Sequence, residues 1–454
     1  MAKVFIGAAA GFAGDRSDAG VPIVEVLAAQ SGARFLMYET LAERTLALCQ
    51  LERRQNPQRG YSPALGRMLP PVLARCLAAG IKIIGNFGAA NPAAAARRVE
   101  EMARSLGVRP PRIAAIEGDD ITSKLSASDL ASRRVDGIDL AQAREILSAN
   151  LYLGAQPIAQ ALDQGAEIVV TGRVADSALA LGPLLHAFRW STDDWDRLAA
   201  GTLAGHLLEC GAQVTGGYFA DPGYKDVPGL AEVGYPIAEV DETGEMVITK
   251  PAGTGGVVNR LTVIEQLLYE IHDPSAYLAP DVVLDLTNVE VAEIGKDRVR
   301  VSGARGGPAP EMLKATVCVD GGFLGEAEIS YAGPNAPARA QLAAEVVRAR
   351  VRTRAPHLNV RVDAIGVRSV WGAAGATMNL RGAQTDDVRL RFAAESSNAS
   401  GVEILLDEAE ALYCAGPAGG AGVRRRITPR LASASCLIER RFAEPRVTIL
   451  GAPR

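Results

Sequence analysis

The sequence lacks several patterns that would assign a class of protein at once. Its six cysteines include no CxxC pair, which argues against a zinc ribbon and against a secreted disulfide framework, and indicates a reducing compartment. No stretch approaches 18 consecutive apolar residues, so no membrane span is predicted. The N-terminus carries a single basic residue and reads as a first strand rather than a signal segment. We therefore expect a cytoplasmic protein.

Positive charge is also scarce in the clustered form that nucleic acid requires. The formal net charge is −4, and lysine and arginine form no continuous stripe; the densest basic stretch is the short "GVRRRITPR" at 422–430. Nucleic acid and anionic membrane are therefore excluded as expected partners. A length of 454 residues favours two domains.

Short apolar runs alternate with helical patterns in the N-terminal half. Strands are predicted near 3–9, 34–40, 81–88, 112–120 and 167–174. One of the intervening helices is predicted over 143–165. This rhythm favours an α/β fold whose N-terminal part is a Rossmann-like, doubly wound and mostly parallel sheet. After about residue 275 the pattern changes to hairpins and further helices, which favours a C-terminal α+β domain; we expect domains at 1–274 and 275–454.

Ligands of open parallel sheets bind at the carboxyl ends of the strands, so the polar residues that follow each predicted strand are the candidates for a site. The candidates for acid–base catalysis are Glu117, Asp119, Asp120, Asp176 and His206. The candidates for ligand binding are Gly11, Gly14, Asp15, Arg16, Asn86, Asn91, Arg173, Ser177, Lys250 and Thr254.

Each candidate has a functional and a structural interpretation. Carboxylates in one cleft push their pKa values apart, which supplies an acid and a base near neutral pH, and an arginine can clamp an anion in bidentate fashion. The same side chains can instead cap helices, form ion pairs or line tight turns. The glycines at 7, 11 and 14 match neither the dinucleotide fingerprint nor the P-loop. His206 lies near Glu209 and Cys210 but lacks a second ligand pair, so no metal site is assigned.

Several stretches, in order along the chain, resemble one family. They include "IGAAAGFAGDR", "GNFGAANP", "VVTGRVADSALALGPL", "LAAGTLAGHLLECGAQVTGGYFAD" and "ITKPAGTGG". Together they resemble the acyclic terpene utilisation proteins of the AtuA type, over nearly the whole chain. The resemblance implies a role in bacterial catabolism of branched acyclic terpenoids, which proceeds on CoA thioesters, and it transfers no catalytic residues. Some family members carry a further small C-terminal domain, so a separate small partner chain is expected to supply it.

The residues and the resemblance together favour an enzyme of branched-acid or acyl-CoA metabolism with hydratase or lyase chemistry. We expect it to need no redox cofactor, to meet CoA as part of its substrate, and to bind a small anionic molecule. A homo-oligomer is also expected. Two alternatives stay open: a non-catalytic ligand-binding or complex-forming subunit of an acyl-CoA pathway, and a metal-dependent hydrolase.

Overall fold

A computed structural model describes residues 2–143, 145–370, 379–380 and 382–451. The chain forms two compact units. The first comprises Met1–Gln142, Ile146–Cys318 and Ser433–Arg454, and the second comprises Ala143–Glu145 and Val319–Ala432. The domain boundary expected near residue 275 stays a prediction.

The helices begin and end where the sequence provides caps. Asn91 accepts a hydrogen bond from the Ala94 amide at the start of its helix, and Gly80 ends another helix in the left-handed conformation. The α-helices are α1 (Gly20–Ala28), α2 (Glu43–Gln55), α3 (Leu65–Met68), α4 (Pro70–Ala79), α5 (Pro92–Ser105), α6 (Ala127–Ser132), α7 (Gln156–Asp163), α8 (Ala178–Phe188), α9 (Trp195–Glu209), α10 (Arg260–Leu268), α11 (Ala336–Arg354), α12 (Ala399–Glu410) and α13 (Leu412–Ala415). Short 3₁₀ turns lie at Leu140–Gln142, Gly211–Thr215, Leu230–Glu232 and Arg440–Phe442.

The strands are rich in valine and isoleucine, as buried strands are. They are β1 (Lys3–Ala8), β2 (Ala33–Tyr38), β3 (Lys82–Gly85), β4 (Ile113–Glu117), β5 (Arg134–Gly137), β6 (Ile146–Leu151), β7 (Ile168–Thr171), β8 (Ile237–Asp241), β9 (Met246–Thr249), β10 (Tyr277–Leu278), β11 (Val283–Asp285), β12 (Glu290–Gly295), β13 (Arg298–Ser302), β14 (Arg305–Gly307), β15 (Met312–Ala332), β16 (Arg361–Ile365), β17 (Asp387–Ser396), β18 (Ala421–Glu439) and β19 (Arg446–Leu450). All five predicted N-terminal strands are present as β1, β2, β3, β4 and β7.

The first unit is built on a large mixed sheet with the order β12-β13-β9-β8-β1-β2-β3-β7-β4-β19. The pairs from β1 to β4 are parallel, whereas β8, β9, β12, β13 and β19 pair antiparallel. The pairs that join β1, β2, β3, β7 and β4 are parallel, as expected for the N-terminal part, but antiparallel strands flank them on both sides, so a Rossmann-like arrangement is only partly present. The physical reason is local: β8–β9 and β12–β13 are connected by short turns, which place consecutive strands side by side and antiparallel.

Helices cover both faces of the parallel strands, as a doubly wound sheet requires. On one face Phe5, Leu36, Ile83, Ala115 and Val170 pack in a core with residues of α1, α4 and α5. Helices α7, α8 and α9 contact strands of the same sheet, and the alternating side chains of those strands are buried as well. The carboxyl ends of β1, β2, β3, β4 and β7 therefore emerge between two helical layers.

The helix predicted over 143–165 is wrong in its first half. Residues Ile146–Leu151 form β6, which pairs with β15, and only Gln156–Asp163 is helical. The run "ILSANL" forms a strand whose residues are mostly buried on both sides, a pattern that periodicity alone cannot separate from a buried helix.

The second unit has the α+β character predicted for the C-terminal region. Its sheet has the order β16-β17-β15-β18, with antiparallel pairing from β16 to β15. Helices α11 and α12 pack on β17 around a core that includes Ala344, Val347, Phe392 and Leu405. Across the part of the chain that the structure describes, every helix is too short or too polar to cross a membrane.

Candidate active site

A cavity of about 680 Å³ opens within the first unit where β1, β2 and β7 end. We call it the main cavity. Six of the residues predicted from the sequence line it: Gly11, Asp15, Arg173, Asp176, Ser177 and His206. Further polar lining residues are Glu39, Glu43, Tyr152, Glu209, Gln213, Tyr235, Tyr269, Glu270, Tyr277 and Lys314.

Glu39 follows β2 directly and is only 6% exposed. Its Oε1 accepts hydrogen bonds from the Leu41 amide at 2.7 Å and from Asn86 Nδ2 at 2.9 Å. Asn86 is itself fixed, because its Oδ1 accepts from the amide and the hydroxyl of Thr40 at 2.7 and 3.2 Å. The predicted ligand contact Asn86 therefore lies behind the cavity wall and holds Glu39 in place.

The surroundings of Glu39 favour its protonated form. Burial, reinforced by the charge of Asp176, raises the pKa of Glu39 to about 8 although Arg173 and the two hydrogen bonds oppose the shift. Both donors contact Oε1, and Oε2 receives no hydrogen bond from the described residues. Oε2 is therefore the oxygen on which a proton would meet no competing donor among the described residues, and Glu39 lines the main cavity. This is the arrangement of a general acid.

Arg173 lies at the end of β7 and is 1% exposed. Its Nε and Nη2 donate to the Val174 carbonyl at 2.8 and 2.6 Å, its Nη1 donates to the Leu41 carbonyl, and Nη2 also pairs with Asp176. The guanidinium lies 4.4 Å from the centre of the Tyr152 ring. Arg173 therefore ties the segments after β2 and β7 together, and each of its nitrogens already has a partner.

Asp176 stands beside both Glu39 and Arg173, just before α8. Burial raises the pKa of Asp176, and the adjacent Arg173 opposes that shift through its charge and its hydrogen bond to Oδ1. The ion pair favours the charged form of Asp176, whereas Glu39 is held neutral. Burial is the larger influence, so the pKa of Asp176 is raised overall, as is that of Glu39, but only Asp176 is hydrogen-bonded to the Arg173 guanidinium.

His206 and Glu209 form a second proton-sharing pair near the C-terminal end of α9. His206 Nε2 lies 3.3 Å from the Leu267 carbonyl, which can only accept, so Nε2 bears hydrogen and Nδ1 faces Glu209 Oε1 at 3.0 Å. Burial lowers the pKa of His206, but the hydrogen bond and charge of Glu209 outweigh it and the pKa is raised; burial also raises the pKa of Glu209. The Tyr277 ring lies 5.7 Å from the imidazole.

The turn after β1 forms another wall of the main cavity. Asp15 accepts hydrogen bonds from the amides of Gly11 and Arg16 at 2.9 and 2.8 Å and from the hydroxyl of Tyr235. A Cβ at Gly11 would lie 2.5 Å from the carbonyl carbon of Cys210. Glycine is therefore required here by the close approach of the turn to the end of α9.

Glu43 and Lys314, which carry opposite charges, both contact Tyr152. Its hydroxyl donates to Glu43 Oε1 at 2.7 Å, and Lys314 Nζ lies 3.6 Å from the same oxygen and 4.7 Å from the ring centre. Burial raises the pKa of Glu43, but the Tyr152 hydrogen bond and the charges of Lys314 and Arg173 outweigh it and the pKa is lowered. Lys314 is thus paired within the wall.

The remaining wall of the main cavity is apolar. It is formed by Leu278, Ala279, Pro280, Pro310, Met312, Leu313 and Leu437. An apolar wall facing a polar end suits a ligand with a hydrocarbon part and one reactive group.

Three predicted catalytic carboxylates line a different cavity of about 460 Å³, at the end of β4. It is lined by Arg53, Ala89, Ala90, Pro92, Glu117, Gly118, Asp119, Asp120, Thr122, Ser123, Asn150 and Arg446, and we call it the Asp119 cavity. Asp119 Oδ2 accepts from Asn150 Nδ2 at 2.8 Å and from the Arg173 amide at 3.0 Å. Burial raises the pKa of Asp119 to about 6. Asp120 accepts from the amide and hydroxyl of Thr122 in a local turn.

Five other predicted residues line neither cavity. Arg16 donates to the carbonyls of Ala231 and Leu230 at 2.5 and 3.4 Å, and a Cβ at Gly14 would meet the Phe12 ring. Asn91 caps α5 and donates to two carbonyls. Lys250 Nζ donates to the Thr254 carbonyl at 3.0 Å, and Thr254 Oγ1 donates to Pro251.

Glu39 lies at the end of the strand predicted near 34–40, and that position was the signal for it, although it was not among the candidate site residues. Glu209 is recognisable from its spacing to His206. Tyr277 and Lys314 carry no sequence signal, because they lie in β10 and β15, far along the chain from the parallel strands. Within residues 2–143, 145–370, 379–380 and 382–451, no three His, Cys, Asp or Glu side chains are grouped so as to hold a metal ion.

The model of the family described as "Acyclic terpene utilisation family protein AtuA" matches residues 4–449. The chain belongs to this family. The match confirms the resemblance inferred from the sequence motifs, and it includes every residue of the main cavity and of the Asp119 cavity. No curated protein and no solved structure matches the chain. Membership of the AtuA family links the chain to the use of acyclic terpenes and specifies no reaction.

Proposed function

We propose that this protein is an acid–base enzyme of the hydratase or lyase type that acts on a branched acid, or its CoA thioester, in the use of acyclic terpenes. The observation that carries the proposal is Glu39, a buried carboxyl whose pKa is raised to about 8 and which lines the main cavity. Buried groups with shifted pKa values in a cleft are candidates for catalysis.

The partner of Glu39 in this chemistry is Asp176. A hydratase needs one group that gives a proton to carbon or to a leaving hydroxyl and another that takes a proton from water. Glu39 fits the first role because it is neutral, and Asp176 fits the second because Arg173 favours its ionised form. The His206–Glu209 pair holds a further proton in the same cavity and can return it after turnover.

The apolar wall of the main cavity suits a branched hydrocarbon chain, and we infer that this part of the substrate binds there. The charged residues support a neutral reacting group, because carboxyl side chains outnumber cations in the lining and both Arg173 and Lys314 are already paired, with Asp176 and Glu43. A thioester is neutral at its carbonyl. We therefore place the acyl part of a CoA thioester in the main cavity and its anionic phosphates outside it.

The test is turnover of a panel of branched unsaturated acids and their CoA thioesters, followed by mass spectrometry for gain or loss of water or for chain cleavage. The wild-type protein should convert at least one thioester, and Glu39→Gln, which keeps the shape but cannot give a proton, should lower kcat by about 10²-fold or more. Glu25→Gln is the matched control, since Glu25 lies on the surface of α1 and pairs with Arg75.

Two results would contradict the proposal. One is thermal stabilisation by thioesters with no turnover of any of them, which identifies a ligand-binding subunit. The other is full activity of Glu39→Gln, which removes the residue on which the proposed chemistry rests.

A further inference from the structure

The ionisable groups of the main cavity are strongly unbalanced in sign. Six carboxyl side chains line it: Asp15, Glu39, Glu43, Asp176, Glu209 and Glu270. Two cations, Arg173 and Lys314, face them, together with His206. Six aromatic side chains complete the inventory: Phe12, Tyr152, Tyr218, Tyr235, Tyr269 and Tyr277. Carboxylates and ring faces both stabilise positive charge.

The two cations have little capacity for a further anion. Every nitrogen of the Arg173 guanidinium donates to a carbonyl or to Asp176. Lys314 is paired with Glu43 and lies over the Tyr152 ring. Hydration next to a thioester carbonyl passes through an enolate, whose oxygen needs such donors. Among the described residues, the walls of the main cavity offer that oxygen no unpaired arginine or lysine, only neutral donors such as Ser177, Gln213 and Tyr277.

An acid-catalysed addition of water has the opposite requirement. When a trisubstituted double bond takes a proton at its less substituted carbon, positive charge develops at the tertiary carbon. The enzyme must then supply a neutral acid and fixed negative or aromatic groups around that carbon. Glu39 is such an acid, and Asp176 and Glu209 both act electrostatically on the Tyr277 side chain beside them.

We propose that the main cavity hydrates, or in reverse dehydrates, the trisubstituted double bond of a branched isoprenoid chain through a tertiary carbocation, with the Glu39 carboxyl as proton donor. The inference rests on the proposed function and adds the class of double bond that reacts. The Glu39 Oε2–H bond breaks as the π electrons form a new C–H bond. A water oxygen then bonds to the tertiary carbon, and its extra proton passes to the Asp176 carboxylate. Proton exchange with solvent restores both carboxyls.

The first test uses a probe that carries the charge of the intermediate. A branched tertiary amine, protonated at the position of the tertiary carbon, is compared with its neutral carbon isostere by calorimetric titration of the wild-type protein. The ammonium probe should bind at least about tenfold tighter, since charge complementarity of one close contact reaches that size. Equal or weaker binding of the ammonium probe overturns the inference.

The second test locates the new bonds and separates this inference from the proposed function. The wild-type protein is incubated in D₂O with a thioester that carries both an α,β double bond and a remote trisubstituted one. A tertiary alcohol with deuterium on the neighbouring carbon supports the inference. Water added at the α,β bond leaves the proposed function intact and overturns the inference. The absence of any turnover overturns both, even if the ammonium probe binds.

Discussion

The main cavity and the Asp119 cavity both open at the carboxyl ends of the parallel strands, and each contains a buried carboxyl with two hydrogen-bond donors on one oxygen. In the main cavity this is Glu39, whose pKa is raised to about 8; in the other it is Asp119, whose pKa is raised to about 6. At pH 7 the first is therefore mostly neutral and the second mostly ionised.

The surroundings explain the difference and give each carboxyl a role. Both carboxyls accept from a backbone amide and an asparagine side chain. The charge of Asp176 raises the pKa of Glu39 more than any hydrogen bond lowers it, whereas the charge of Asp120 is a smaller influence on Asp119 than either of its hydrogen bonds. A neutral carboxyl can donate a proton to a ligand. An ionised carboxyl that accepts a backbone N–H instead fixes the strand end to which that N–H belongs. Asp119 therefore positions Arg173 for the main cavity. A buried carboxyl thus has a proposed catalytic role in the main cavity and a positioning role in the Asp119 cavity.

The largest expected effect compares the arginines of the two cavities. Arg173→Met removes the buried guanidinium and leaves its partners, Asp176 and two backbone carbonyls, without a donor. The free energy of unfolding should therefore fall by about 3–5 kcal/mol. Arg53→Met, in the Asp119 cavity, removes one hydrogen bond from an exposed guanidinium to the Ala90 carbonyl and should cost about 1 kcal/mol or less. Urea titration of both variants measures the difference. Equal losses would show that Arg173 does not tie the main cavity together.

The next comparison concerns Asp176 and Asp120, which are both predicted from the sequence to be catalytic. Asp176→Asn removes the proposed base of the main cavity, and kcat on the substrate found by the turnover screen should fall by about 10²-fold. Asp120→Asn makes the same change in the Asp119 cavity, where the side chain only closes a turn with Thr122, and kcat should stay within about threefold. Assays below the melting temperature of each variant keep stability out of the result. A larger loss of kcat in Asp120→Asn than in Asp176→Asn would show that the reaction takes place in the Asp119 cavity.

The fold was predictable as far as local pattern determines it. The runs at β1, β2, β3, β4 and β7 are apolar, short and followed by polar residues, and each is a strand. The antiparallel pairing of β19 with β4 was not predictable, because β19 joins β4 from more than 300 residues away, a pairing that no local pattern records. The strand β6 was missed because a strand buried on both sides has the apolar run of a buried helix.

The candidate site was predictable by position but not by role. The rule that ligands bind at strand ends found Asp15, Arg173 and Asp176. It could not show that the ends of β4 and β7 face different cavities, nor that Asn86 supports Glu39 from behind. Those distinctions depend on the directions of side chains and on burial, which strand order alone does not determine.

The last comparison is a pH dependence, small for each pH unit, that separates the two buried carboxyls. Because the folded protein holds a proton on Glu39 up to about pH 8 and the unfolded chain releases it near 4.5, stability falls between these values by up to about 1.4 kcal/mol per pH unit. Glu39→Gln removes this dependence, so its unfolding free energy relative to wild type should rise from pH 4.5 to 8. The unfolding free energy of Asp119→Asn relative to wild type should also rise with pH, but only between about pH 3.8 and 6. Between pH 6 and 8 the two variants should therefore diverge in slope, and parallel curves there would mean that Glu39 is ionised at neutral pH and cannot be the acid.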